Sequence, residues 1–267
     1  MQTNLKGKIV VVSGGAGVEG SIGRTMVRRL AGEGALPAII DRDDRGEAQA
    51  RQFRAAGVDA LFVRADLTKP ADIERAVATI ADKYGRIDAL INNVGVNDGV
   101  GLDGSVEAFL DSLKINLISY WCLTKYCFPY LKAARGNVLN IGSKVALTGQ
   151  GRTSAYAASK GGVLALTREW AVDFAPHGMR SNAIVIAESY TPAYESWIAG
   201  LENGQEKLRS ITERIPLENR MTDPEEIANT AIFLISDLSS HTTGQHVFVD
   251  GGYVHLDRAL LSQAKSA

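Results

Sequence analysis

The chain reads as an α/β protein built on one doubly wound parallel sheet with helices on both faces. Three observations predict this. Short β-branched runs alternate with longer amphipathic stretches, the pattern of right-handed βαβ units. The strand-like runs are apolar at consecutive positions, as strands covered on both faces are. Glycine, aspartate, asparagine and serine recur directly after those runs, at the carboxyl ends where such sheets bind ligands.

Each element carries its own signal. Ile9-Val10-Val11-Val12 is the first strand; it enters a glycine loop and then a helix from about Ser21 to Glu33, which Gly34 ends. Ala38-Ile39-Ile40 is a strand closed by Asp41, followed by a helix from about Arg45 to Ala56 and a strand at Ala60-Leu61-Phe62-Val63. Asp66 closes that strand, and Lys69-Pro70 opens a helix with proline in its first turn, where the missing N–H is not needed. Ala89-Leu90-Ile91 leads into Asn92-Asn93, and one long helical stretch covers roughly Val106 to Ala134. Val138-Leu139-Asn140-Ile141 runs to Ser143, a helix follows from about Ser154 to Phe174, and Asn182 to Ile186 is again a strand. Residues 188–220 form a substrate loop with short helical pieces, and Pro224 starts a helix to about Ser236. His246-Val247-Phe248-Val249 is the last strand, before Asp250-Gly251-Gly252 and a tail over 253–267.

Composition narrows the function classes. The 267 residues show no repeat, low-complexity tract or linker, so one domain over 1–267 is expected. Lys and Arg number 29 against 30 Asp and Glu, a net charge of -1, so no strong field draws the protein to nucleic acid or an anionic membrane. A hydrophobic content of 45% excludes disorder. No apolar run approaches the roughly 20 residues of a membrane span, and the N-terminus lacks a signal-peptide layout. Cys122 and Cys127 offer no disulfide framework, which fits a reducing, cytoplasmic setting. Neither they nor the four histidines have metal-ligand spacing, so no metal is expected.

The 27 glycines point to a site. The first strand runs into Ser13-Gly14-Gly15-Ala16-Gly17-Val18-Glu19-Gly20-Ser21-Ile22-Gly23. A pyrophosphate needs backbone close by and free N–H groups at a helix N-terminus, and glycines allow both. Gly14, Gly17, Gly20 and Gly23, with Ser21 and Ile22, are candidate phosphate contacts; a merely tight turn is the plainer alternative. Asp41 favours the nucleotide. It ends the second strand roughly 20 residues beyond the loop, where a carboxylate accepts both hydroxyls of an adenosine ribose. It repels a 2′-phosphate and so favours NAD, while the adjacent Arg42 leaves NADP open. Asp66 and Leu67 would flank the adenine; taken alone, Asp66 is an ordinary helix cap.

In Ser154-Ala155-Tyr156-Ala157-Ala158-Ser159-Lys160, Tyr156 and Lys160 stand one helical turn apart on one face. An ammonium near a phenol lowers the tyrosine pKa from about 10, which suits Tyr156 to move a hydroxyl proton. Ser143, at a strand end, can hydrogen-bond the same substrate oxygen.

Over its whole length the chain resembles the short-chain dehydrogenase/reductase family. Asn92-Asn93-Val94-Gly95 is similar to the family's Asn-Asn-Ala-Gly after the fourth strand, which implies that Asn93 and Gly95 border the cofactor. Asn116, in Lys114-Ile115-Asn116-Leu117, matches the asparagine whose backbone binds a water that contacts the lysine. The resemblance implies a catalytic tetrad of Asn116, Ser143, Tyr156 and Lys160. Lys160 would also hold the nicotinamide ribose, and Tyr156 would exchange a proton as hydride moves to or from nicotinamide C4. Two departures stand out. The glycine loop is longer than the family's usual one and ends in Ser-Ile, as in the enoyl reductase branch; those enzymes, however, space tyrosine and lysine farther apart. Ile186-Ala187 stands where most members have Pro-Gly beside the nicotinamide, while Thr191-Pro192 follows the family and makes Thr191 a carboxamide or phosphate contact. Family members commonly pair helices equivalent to 106–134 and 154–174, which implies a homotetramer or homodimer. The stripe Val163, Leu166, Trp170 and Phe174 is either that interface or core.

The candidate substrate lining is polar: Asn97 and Asp98, Lys144 and Gln150, Glu188 and Tyr190, with Tyr194 and Trp197 adding aromatic faces. A sugar or polyol satisfies such groups, and an acyl chain or steroid leaves them unpaired. The strings Val96 to Asp103, Gly142-Ser143-Lys144, Thr148 to Gly151, Leu166 to Ala171 and Asp250 to Arg258 resemble the branch that contains bacterial L-fucose dehydrogenases. That implies NAD-linked oxidation of an aldose at C1 to its lactone, with L-fucose or a stereochemical relative as substrate. Glu188 and Gln150 would be sugar-hydroxyl ligands, and His255 in the tail is a candidate to reach a neighbouring subunit's site. Alternatives are an alcohol or 3-oxoacyl reductase acting on another small polar substrate, and a catalytically silent dinucleotide-binding regulator.

Overall fold

The computed structural model describes residues 2–257. Its strands are β1 (Ile9–Ser13), β2 (Leu36–Asp41), β3 (Leu61–Arg64), β4 (Ala89–Asn92), β5 (Asn137–Ser143), β6 (Arg180–Ile186) and β7 (His246–Val249). They form one sheet in the order β3-β2-β1-β4-β5-β6-β7, with every neighbouring pair parallel. The chain winds outward from β1 to β3, then returns to the middle and winds the other way from β4. The direction reverses between β1 and β4, and it is outside the carboxyl ends at such a reversal that sheets of this kind bind ligands.

Helices α1 (Ile22–Gly32), α2 (Arg45–Ala55), α3 (Pro70–Tyr84), α4 (Val106–Leu113), α5 (Ser119–Ala134) and α6 (Ser154–Phe174) make the crossovers, with α7 (Pro192–Ala199), α8 (Gly204–Thr212) and α9 (Pro224–Ile235) after β6. The unbroken apolar run of β1 follows from this layering, because successive side chains go to opposite faces. Val11 packs with Ile40, Leu90 and Val138 against Val77 of α3, Leu123 of α5 and Phe174 of α6. Val10 and Val12 pack with Ile39, Ile91 and Leu139 against Val27 and Leu30 of α1 and Ile227 of α9. Each such side chain contributes about 1.5–3 kcal/mol on burial.

One expectation is corrected here and one open alternative is decided. The helix expected over 106–134 is interrupted by a π turn at Lys114–Ile118, with Asn116 at its centre. On α6, Val163, Trp170 and Phe174 are buried and Leu166 packs against the same cluster, so the stripe is core. Cys122 and Cys127 are free and buried. The exposed His255 ring sits edge-on to Phe248 of its own chain, 4.2 Å between centroids; residues 258–267 of the tail lie outside the described residues. Among the described residues no helix is long and apolar enough to cross a membrane, and no group of three or more His, Cys, Asp or Glu could hold a metal.

Candidate active site

At the carboxyl end of β1 the chain turns through Gly14, whose φ of 69° favours glycine. A Cβ on Gly23, in the first turn of α1, would lie 2.1 Å from the Gly14 carbonyl oxygen, so this glycine lets strand and helix meet. Ser21 is the N-cap of α1, yet its hydroxyl makes no capping bond and is buried without a partner among the described residues. A Cβ on Gly17 would come 2.3 Å from that hydroxyl. An orphaned hydroxyl, side-chain-free backbone facing it and the first-turn N–H groups of a helix are what a pyrophosphate requires. A Cβ on Gly20 would stand 3.6 Å from the Pro192 ring, so the loop faces the start of α7. There Thr191 caps α7, its Oγ1 accepting from the Tyr194 N–H at 3.3 Å. Its own hydroxyl proton stays available to a ligand.

The Asp41 carboxylate at the end of β2 accepts from the Ala16 N–H (3.0 Å) and the Asp43 N–H (3.2 Å). It pins the glycine loop to β2 and retains lone pairs for ribose hydroxyls. Asp66 accepts from the Thr68 N–H (3.0 Å) and hydroxyl (2.7 Å), which hold its carboxyl below the ordinary value. Leu67 is 5% exposed and belongs to the core, so only its backbone can flank an adenine. Asn93 joins β4 to the loop by donating to the carbonyls of Ser13 (3.0 Å) and Gly14 (3.1 Å). Gly95 lies against the lysine: a Cβ there would be 3.1 Å from Asn116 Oδ1 and 3.4 Å from Lys160 Nζ. Ala187 directly follows β6.

Of the four expected tetrad positions, Asn116 lies in the π turn, Ser143 ends β5, and Tyr156 and Lys160 stand in the first two turns of α6. Asn116 is wholly buried; its amide donates to the Val96 carbonyl (3.0 Å) and its Oδ1 accepts from the Val96 N–H (2.8 Å). The π turn thereby locks onto the loop after β4, in keeping with the tendency of such turns to mark functional sites. Ser143, at the end of β5, faces Tyr156 closely enough to pull its pKa down. Burial pushes Tyr156 up to about 12 against the pull of Ser143, and the nearby Asp98 carboxylate adds to the rise. Burial pulls Lys160 down to about 7. The expectation that Lys160 lowers the Tyr156 pKa is therefore corrected: burial dominates both groups. The lysine sheds its charge near neutrality and directs its bonds to Tyr120 and Ile141, with Nζ 5.7 Å from the Tyr156 ring centre.

Next to Ser143, Lys144 forms an ion pair with Glu188, with side chains 9% and 15% exposed. Lys144 Nζ also sits 4.2 Å over the Tyr253 ring. Burial, then the Glu188 charge, push the Tyr194 phenol up, and the Tyr194 ring meets Trp197 edge-on at 5.2 Å. Asn97, Asp98 and Gln150 are exposed on their loops, and Trp197 is 46% exposed. Sequence reasoning missed Tyr120 and Tyr253. Tyr120 follows Asn116 by four residues, a spacing that reads as core; Tyr253 lay within the Asp250 to Arg258 string but was not singled out there.

A family profile described as enoyl-(acyl carrier protein) reductase matches residues 15–254. L-fucose dehydrogenase of Bos taurus is 34% identical over 255 residues, which cover 94% of this chain and 91% of that protein. Among solved structures, Cj0485 dehydrogenase is 42% identical with a TM-score of 0.91, covering 97% of this chain and 98% of that one. The aldohexose dehydrogenase of Thermoplasma acidophilum is 28% identical with a TM-score of 0.85, covering 96% and 98%. The parallel sheet, its reversal of strand order and these relatives agree: the chain belongs to the short-chain dehydrogenase/reductase family and is an NAD(P)-dependent oxidoreductase acting on CH–OH groups.

Proposed function

We propose that this enzyme oxidises an aldose, L-fucose or a stereochemical relative, at C1 to the lactone, with NAD as the preferred cofactor. The observation that supports this most is the wall beside Ser143 and Tyr156. It is a largely buried Lys144–Glu188 pair between two tyrosines, a surface suited to hydroxyl groups and ill suited to an acyl chain. The names of the fucose and aldohexose dehydrogenase relatives point the same way. Asp41, facing the loop where the adenosine ribose would lie, supports NAD over NADP.

In this reading Tyr156, as phenolate, takes the proton of the C1 hydroxyl while Ser143 donates a hydrogen bond to the C1 oxygen. Bound nicotinamide supplies the acceptor for the hydride that leaves C1. Lys160 holds the nicotinamide ribose and, when protonated, favours the phenolate. Glu188 accepts sugar hydroxyls, Lys144 donates to them, and Asn97, Asp98, Gln150 and Trp197 close the pocket from its rim. Asn116 fixes the loop that carries Gly95 against Lys160. We further propose one catalytic domain in a cytoplasmic homodimer or homotetramer. Two buried free thiols and the exposed Trp121 of α5 and Val172 of α6 support this.

Steady-state assays with L-fucose, D-arabinose, L-galactose and L-rhamnose, each with NAD and NADP, test the reading. Turnover of at least one sugar, faster with NAD, is expected. Four inert sugars beside an active ketone or acyl thioester would overturn it.

A further inference from the structure

Beneath Lys160 lies a phenol to which the tetrad gives no role. Tyr120 sits on α5, four residues past Asn116, and is wholly buried. Its hydroxyl donates to the Ile141 carbonyl (3.3 Å) and accepts from Lys160 Nζ (3.0 Å), while Nζ donates to the same carbonyl (2.8 Å). The Tyr120 ring centre is 4.8 Å from Nζ. Amine, phenol and carbonyl thus close a triangle across α5, β5 and α6.

Counting donors gives this triangle a purpose. A lysine ammonium has three N–H groups. Tyr120 and Ile141 take two, which leaves one on the side of Gly95 and Tyr156. Among the described residues no carboxylate pairs with Lys160, so neutral acceptors alone hold it. Without the phenol oxygen, one buried N–H loses its acceptor and the amine is free to turn. A core position that only needed filling would take phenylalanine, because a buried hydroxyl is costly unless bonded.

We propose that Tyr120 is a positioning residue whose hydroxyl fixes the Lys160 amine, reserving one N–H for Tyr156 and the ribose side of the site. The inference rests on the reading of Tyr156 and Lys160 as the acid/base pair. The titratable groups facing this cluster are Tyr156 on α6, Tyr120 on α5 and Asp98 from the loop after β4, which acts on Tyr156; β5 presents the Ile141 carbonyl and Ser143. A phenol oxygen that accepts from Lys160 favours the charged amine. Its loss therefore moves the lysine titration to lower pH and weakens the support for the Tyr156 phenolate.

The test is Tyr120→Phe, which keeps the ring and removes the oxygen. Lysine side-chain carbon NMR follows Lys160 through a pH titration of the cofactor-free protein, with the signal assigned from Lys160→Arg. The expected result is a midpoint lower than wild type by about half a pH unit or more. The rising limb of kcat/KM for oxidation is expected to move to higher pH with the substrate KM unchanged. A titration and a pH profile that superimpose on wild type overturn the proposal. Should Tyr120→Phe not fold, 3-fluorotyrosine at position 120, a weaker acceptor, is expected to give a smaller downward shift, and no shift overturns it. If Tyr156→Phe and Lys160→Arg both turn substrate over as wild type does, the acid/base reading fails and this proposal with it. If both lose turnover while the Tyr120→Phe titration stays put, this proposal alone fails.

Discussion

Burial strips Lys160 of water and lowers its pKa to about 7, whereas in the unfolded chain it keeps its proton to about 10.4. Between those values the unfolded state binds more protons, so this residue makes stability rise with pH; below the window the cost of a buried charge is present in full. Lys160→Met is therefore expected to abolish turnover and raise Tm by a few degrees at pH 6, with the gain shrinking toward pH 9. Thermal unfolding at both pH values checks this, and a variant less stable than wild type at pH 6 contradicts it. Tyr156, held near 12 by burial, gives up its proton with difficulty. Oxidation is thus expected to accelerate steadily from pH 6 to 9, and a flat kcat/KM profile over that range would oppose its role as base. Both residues were legible in the sequence because one turn of helix puts them on one face. Their pKa values were not, since spacing reports proximity and says nothing of desolvation.

The glycine loop and α1 make different demands on two glycines. The atom nearest a Cβ on Gly23 is a backbone carbonyl oxygen that cannot step aside, so Gly23→Ala is expected to cost about 1–3 kcal/mol in urea unfolding as well as weaken NAD binding. On Gly17 the Cβ meets the Ser21 hydroxyl, which can rotate away, and the Ser21 Cβ at 3.0 Å, which has to give by a few tenths of an ångström. Gly17→Ala is expected to raise the NAD Kd about tenfold while leaving the unfolding midpoint near wild type. Equal losses of stability in the two variants would show that the Ser21 hydroxyl is not set aside for a ligand. The lengthened loop was visible in the sequence, but the division of labour among its glycines depends on close approaches between elements. The π turn was hidden for a related reason: a single slip in register barely disturbs an amphipathic pattern that continues through α4 and α5.

The sheet follows from alternating elements and right-handed crossovers, so its doubly wound form was legible from strand runs alone. The Lys144–Glu188 pair was not, because its partners are 44 residues apart and meet only when β5 and β6 lie side by side. The molecule's outer surface bears on assembly. Val172 is 72% exposed and Trp121 46%, on the helices proposed to pair. Val172→Glu is expected to yield a smaller species than wild type by light scattering; an unchanged mass places the interface elsewhere. The proposed chemistry takes place at C1 of a sugar, where Tyr156, Ser143 and the charged pair would act together. Its most direct test uses L-fucose deuterated at C1 with NAD, following deuterium into the reduced nicotinamide by mass spectrometry. One deuterium per NADH is expected, with the lactone as product. Turnover that leaves NADH unlabelled, or no turnover of L-fucose or any related aldose, would contradict it.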